Sequence, residues 1–340
     1  MKRNTHGNIK TLKQLVFILI PLLLAGCFDF EANHMVTKFK VLAVQTEPPE
    51  IAPGEGFEME VLYADPEGNG REVTFAWFMC INAMSPAVPL RPEMGLGACL
   101  PVQSPVVASA SNDGNIFVAD QTPEDLMSLY PEALRNQPGG TPVDTQIVYI
   151  TAVVVGCAGG QLPEPEQLKA AMPNVTNPAD LCQGGDGWAT HKVLRVTPEN
   201  NPMANENPEI SRIQVDGAAV PLWRGTGQPD TAPLTYNCAS KDKCDFELNI
   251  DVDLTAQSLQ SYHTKSASGF ETIDEVLYVT WFTNGGELDG DRSIVEFPDA
   301  SCDNIWTAKK PGLFTVWTVA HDVRGGVSWD SFQIRVNPAL

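Results

Sequence analysis

Two strand-like runs carry a tryptophan at the same place: Val73-Thr-Phe-Ala-Trp77-Phe and Leu277-Tyr-Val-Thr-Trp281-Phe. Other pairs follow in the same order. Phe39-Lys-Val-Leu-Ala-Val matches Ile210-Ser-Arg-Ile-Gln-Val, and Ile147-Val-Tyr-Ile-Thr-Ala-Val matches Phe314-Thr-Val-Trp-Thr-Val-Ala. The tail of Gly187-Trp-Ala-Thr-His-Lys-Val-Leu-Arg-Val matches that of Gly326-Val-Ser-Trp-Asp-Ser-Phe-Gln-Ile-Arg-Val. A repeat of roughly 130–160 residues is a duplicated domain, since solenoid periods run only about 20–50 residues. The repeated pieces are β-branched and aromatic, so each copy is built from strands. The chain has 27 Gly and 27 Pro, as a strand-and-turn protein requires.

Both copies resemble immunoglobulin-type sandwiches: short strands, turn signals between them, and a central-strand Trp at Trp77 and Trp281. Asp65-Pro-Glu-Gly-Asn-Gly before the first Trp strand, and Asp322-Val-Arg-Gly-Gly before the last strand, are similar to PKD-type and cadherin-like relatives. The resemblance covers most of residues 36–337. It implies an all-β chain of two tandem immunoglobulin-like β-sandwiches, the first with long loop and short-helix insertions. The first domain spans 36–198, with insertions 82–145 and 157–187, and the second spans 209–340. Helix signals sit at Thr122-Pro-Glu-Asp-Leu, with Thr122 as cap and Pro123 in the first turn, and near Glu164–Met172. Residues 199–208, with prolines among Asn and Glu, form a stiff linker with no core of its own.

The amino terminus carries Lys2, Arg3, Lys10 and Lys13, then the apolar run Leu15–Ala25, then Gly26 and Cys27. A basic start, a short apolar core and small residues before a cut mark a secretory signal. Leu24-Ala25-Gly26-Cys27 is similar to the lipobox of bacterial lipoproteins. That resemblance implies a signal peptide over 1–26, acyl chains on Cys27, and a tether over 27–35. Phe28 stands where a retention Asp would be, which directs the expectation to the outer membrane, facing either the surface or the periplasm. Cleavage removes those four basic residues and no acid, taking the net charge from −20 to −24. Such a surface repels nucleic acid, so the partners expected are the membrane, through the lipid anchor, and a protein or glycan.

The chain has 8 Cys, seven of them after Cys27. In an exported chain they read as disulfides. Cys80 with Cys99 and Cys157 with Cys182 would tie each insertion to its strand, and Cys238 with Cys244 would staple a small loop. Cys302 is the odd one, although it could displace either Cys238 or Cys244.

No Gly-x-Ser-x-Gly, His-Glu-x-x-His or phosphate-binding loop occurs. His34, His191, His263 and His321 are scattered without ligand spacing. No cofactor is expected beyond structural calcium, for which Asp65, Glu67 and Asn69 in one turn, Asp289 and Asp291 in another, and Asp322 are the candidate ligands. Asp and Asn are equally the ordinary turn formers. Trp223 and Trp306 have polar neighbours and are candidates for stacking on a sugar or partner, whereas Trp77, Trp281 and Trp317 read as core. The function expected is a non-catalytic binding or structural module. Its rivals are an accessory subunit of an envelope export or motility assembly, and a glycan-acting enzyme with paired carboxylates.

Overall fold

Phe57-Glu-Met-Glu-Val-Leu-Tyr alternates apolar and acidic residues, and it folds as a strand with Phe57, Met59 and Val61 buried and Glu58 exposed. The computed structural model describes residues 34–68, 70–82, 110–125, 142–164, 167, 178–199, 201–226, 229–240 and 244–339, without the side chains of 78, 80–82 and 110–113. Cys27, most of the tether, Asn69, the Cys80–Cys99 pairing and most of the expected helix near Glu164–Met172 lie outside the described residues.

The first sandwich contains β1 (Lys40–Glu47), β2 (Glu50–Ile51), β3 (Phe57–Ala64), β4 (Val73–Asn82), β5 (Ala110–Asp113), β6 (Ile116–Ala119), β7 (Val148–Ala158) and β8 (Asp186–Val196). Its sheets have the orders β1-β3-β6-β5 and β2-β8-β7-β4. Val41, Met59 and Phe117 from one sheet meet Ile150, Val154 and Leu194 from the other in a common core.

The second sandwich contains β9 (Ile210–Val215), β10 (Ala218–Ala219), β11 (Leu234–Asn237), β12 (Phe246–Leu254), β13 (Ser261–Ser266), β14 (Gly269–Asp274), β15 (Tyr278–Thr283), β16 (Glu287–Leu288), β17 (Arg292–Ile294), β18 (Ser301–Ala308), β19 (Gly312–His321) and β20 (Val327–Asn337). Its sheets are β10-β9-β12-β18-β16 and β11-β20-β19-β15-β17, with β13-β14 a separate ribbon.

The duplication extends to topology. β1-β3-β6 corresponds to β9-β12-β18, and β2-β8-β7-β4 to β11-β20-β19-β15. In both copies a short strand lies parallel to the last long one, β2 on β8 and β11 on β20.

Residues 82–145 depart from the expected loop. β5 and β6 form a hairpin that extends the β1-β3 sheet. Gly114-Asn115, with Gly114 at φ 66°, supplies its two-residue turn. Thr122 caps no helix among the described residues. Its hydroxyl donates to the Glu55 carbonyl at 3.0 Å and accepts from the Gly54 N–H at 3.0 Å, fastening this segment to the β2–β3 loop. β7 and β8 also reach further than expected, which narrows the second insertion.

The two sandwiches pack against each other through one outer sheet face of each. β19 is buried along both faces: Phe314, Val316 and Ala320 point into its own core, while Trp317 and Val319 point out. There they join Val327 and Trp329 of β20 and meet Val36, Ala43, Leu62 and Ala64 of the first sandwich. The equivalent outer face of β7, at Val153 and Val155, is covered instead by Leu181 and Leu162 of its own insertion. Cys157–Cys182 pins that cover in place. The chain entry is likewise fixed. The Val36 N–H donates to the Thr283 carbonyl at 2.8 Å, and the Thr283 N–H donates to His34 at 2.9 Å. The end of the expected tether is therefore paired to β15.

Candidate functional site

The strongest concentration of unusual chemistry lies where the two sandwiches and residues 197–209 meet. Glu50, Lys192 and Arg195 of the first sandwich are buried there, as are Glu275, Asp322 and Arg324 of the second. Charged side chains are almost never fully buried unless paired.

Arg324 is the hub. It follows Asp322, whose carboxylate accepts the Arg324 and Gly326 N–H groups at 2.7 and 2.8 Å, and this tight turn aims the guanidinium inward. The guanidinium pairs with Glu275, donates to the Met203 carbonyl at 2.6 Å and to Gln260 at 2.8 Å, and lies 5.4 Å from the Tyr262 ring centre. It also comes within 3.9 Å of Glu50, which faces Arg195 at 3.2 Å. Two carboxylates and two guanidiniums thus alternate across the boundary, as a buried ion cluster must to offset desolvation. Burial, with Asp322 nearby, pushes the Glu275 carboxyl up to about 7 despite Arg324. Burial likewise lowers the Lys192 ammonium to about 8, with Asp322 opposing; its Nζ donates to the Gly325 carbonyl.

Asparagines read as linker material clamp the joint. Asn201 donates to Glu50 at 2.6 Å, and Asn205 donates to Asp322 at 3.0 Å. Asn207 donates to the Thr46 carbonyl of the first sandwich at 2.8 Å and accepts the Val327 N–H of the second at 2.8 Å. On the other flank, Asp144 accepts the His263 backbone N–H at 2.7 Å and lies 3.0 Å from its Nδ1. That contact ties the end of the first insertion to the β13-β14 ribbon. No sequence signal marks Glu50, Glu275 or Arg324, because only tertiary packing buries them. The nearest hint is the series of Asn residues, whose short amides suit backbone capping.

The calcium candidates among the described residues do not converge. Asp65 is held by Arg71 at 2.7 Å through both oxygens, and Arg71 also reaches Asp186 at 2.7 Å. Asp322 is engaged within its turn and by Asn205, while Asp289 and Asp291 are exposed, as their turn would leave them. Glu67 is exposed too. Among the described residues no group of three or more His, Cys, Asp or Glu side chains could hold a metal ion.

Trp306 corrects the stacking expectation. It is fully buried, and its Nε1 donates to the Gly285 carbonyl at 2.9 Å. Gly286, at φ 79°, lies where a Cβ would strike that indole. Trp223 is half-buried, bridged through its backbone to Ser331, with its ring against Gly225. Trp281 is core as expected; Trp77 is half-buried against the first core, 5.5 Å from Phe117. Trp317 is buried, but in the inter-sandwich seam. Cys157–Cys182 and Cys238–Cys244 are bonded as expected, and Cys302 is free and buried.

The sequence matches no protein-family model, and no curated protein is similar to it at a significant level. Among solved structures, the D0-D1 domain of intimin is similar at 10% identity and TM-score 0.21, over 87% of this chain and 98% of that one. The adhesin InvE of Yersinia pseudotuberculosis is similar at 8% identity and TM-score 0.21, over 88% of this chain and 60% of that one. The tandem Ig repeats of Dlar are similar at 8% identity and TM-score 0.21, over 89% and 100%. At these scores the likenesses carry no argument; the sheet orders themselves make the chain all-β, two tandem immunoglobulin-like β-sandwiches with insertions in the first.

Proposed function

We propose that this chain is a lipid-anchored protein of a bacterial outer membrane that acts as a non-catalytic binding or structural module. The observation that carries the module reading is the junction. It commits the chain's buried charge, at Glu50, Arg195, Glu275 and Arg324, to holding two sandwiches in one orientation. An element that presents or braces a partner needs its surfaces in such a fixed relation. The anchor reading is supported by Leu24-Ala25-Gly26-Cys27 behind a basic, apolar leader. The bonds Cys157–Cys182 and Cys238–Cys244 suit an oxidising compartment. The acidic surface supports a protein or glycan partner and opposes nucleic acid.

The test is metabolic labelling with radioactive palmitate, followed by separation of inner and outer membranes. Wild type should carry label and fractionate with the outer membrane, while Cys27→Ala should carry none. An unlabelled wild type, or label retained in the variant, would remove the anchor.

A further inference from the structure

The β13-β14 ribbon is unevenly protected. Its register pairs Ser261 with Asp274, His263 with Thr272, and Lys265 with Phe270. The Glu275 N–H donates to the Gln260 carbonyl at 2.8 Å. Antiparallel ladders alternate hydrogen-bonded and non-hydrogen-bonded pairs, so Tyr262–Ile273, Thr264–Glu271 and Ser266–Gly269 are the bonded ones. The backbones of Ser261, His263 and Lys265 therefore face outward along β13, and those of Phe270, Thr272 and Asp274 along β14. On β13, Asp144 covers the middle position by accepting the His263 N–H. On β14, five of the six residues are exposed, and among the described residues nothing accepts the three outward N–H groups. The strand Gly269-Phe-Glu-Thr-Ile-Asp274 has no Pro and no bulge to blunt its edge, and its two charges, Glu271 and Asp274, are both acidic, so they turn away acidic strands and admit cationic ones. The ribbon is also held firmly, because Arg324 lies over Tyr262 on one face and pairs with Glu275 at its base.

We infer that the outer edge of β14 is a docking site for an extended, cationic segment of a partner protein, which adds to the ribbon as a further strand. This deepens the reading of the chain as a binding module and rests on it. Main-chain bonds to Phe270, Thr272 and Asp274 supply the attachment, and side chains supply the choice. Glu271 and Asp274 call for Lys or Arg opposite them, and Phe270 (37% exposed) and Ile273 call for apolar residues. For an antiparallel partner the pattern is Lys-Val-Thr-Lys-Val, read opposite Asp274 through Phe270. A second copy of this chain is disfavoured as the occupant, because it brings the same acidic edge and the same net charge of −20.

The probe is Thr-Lys-Val-Thr-Lys-Val-Thr-amide with tetramethylrhodamine on its amino terminus, and the full-length protein in detergent micelles is titrated into it. Fluorescence anisotropy reads affinity, and hydrogen exchange reads the protected segment. Saturable binding that protects residues 269–274 is expected, weakened about tenfold or more by Thr272→Pro and left within about twofold by Thr272→Ala. Proline removes the outward donor at Thr272 without touching the ribbon's own bonds. Should Thr272→Pro melt the ribbon, N-methylation of alternate probe residues removes the donors from the other side, with the same loss expected. No saturable binding up to roughly 1 mM, protection elsewhere, indifference to N-methylation, or self-association through 269–274 would overturn the inference. The palmitate experiment does not depend on this edge, so failure of the anchor and failure of the edge are separately visible.

Discussion

Replacing Arg324 with Ala tests whether the ionic cluster is what joins the sandwiches. The guanidinium makes an ion pair with Glu275, bonds to Met203 and Gln260, and a cation–π contact with Tyr262. Its removal leaves Glu275 buried without its counter-ion, a change that costs about 3–5 kcal/mol in buried pairs. For a chain of this size that corresponds to a fall in melting temperature of roughly 4–7 °C. The loss should depend on pH in a stated direction. The folded value of Glu275, about 7, lies above its ordinary value of 4.5, so the native state holds that proton more firmly. Wild-type stability contributed by Glu275 is fully present below the ordinary value and declines as pH rises to about 7. Well below about 7 the folded Glu275 is already neutral and has little need of Arg324. The Arg324→Ala deficit should therefore be near its full size at pH 8 and shrink to about 1–2 kcal/mol near pH 5, where only the lost hydrogen bonds count. Urea denaturation at the two pH values reads both numbers. A deficit under about 1 kcal/mol at pH 8, or one equal at both pH values, would refute the reasoning.

Two further outcomes follow from burial. The Lys192 ammonium has a folded value of about 8 against an ordinary 10.5, so the unfolded chain binds more protons between them and stability rises with pH through that window. Lys192→Met should lack this rise, and its advantage over wild type should shrink by about 1–2 kcal/mol between pH 8 and 9.5 in urea titrations. Cys302 is buried, and burial followed by Asp303, Asp253 and Asp251 pushes its thiol up to about 12. Iodoacetamide at pH 8 should leave it unmodified in the native protein and alkylate it after unfolding, as read by mass spectrometry of its peptide. Native modification would show that the second core opens more readily than its packing implies.

The strands and their duplication were legible because they are local. Val73–Cys80 and Leu277–Phe282 carry their β-branched pattern and their tryptophan wherever they are packed. Cys238–Cys244 was legible through its short spacing, although Cys302 stayed a rival for either partner, and Cys157–Cys182 through its place at the root and in the body of one insertion. The β5-β6 hairpin was hidden by its polar, Pro-rich surroundings, although Gly114-Asn115 before Ile116-Phe-Val-Ala is a hairpin signal. Trp306 was misread from its polar neighbours. Period two was the better guide, since Cys302, Asn304, Trp306 and Ala308 are buried and alternate with Asp303, Ile305 and Thr307. The junction was not legible at all. Glu50 stands in a proline-rich bend, Glu275 after an exposed ribbon and Arg324 in a glycine turn, and nothing local sets them apart from solvated charges. Their burial arises only when the outer face of β19 and β20 meets the first sandwich.

That face has a counterpart whose fate is different. In the second copy the outward side of β19 receives a whole neighbouring sandwich at Trp317 and Val319. In the first copy the matching side of β7 is sealed by Leu162 and Leu181, under the Cys157–Cys182 bond. An apolar sheet face left open to water is the kind of patch that marks an association site. The disulfide-pinned insertion does for β7 what a neighbouring sandwich does for β19: the first copy carries its own cover, and the second borrows one.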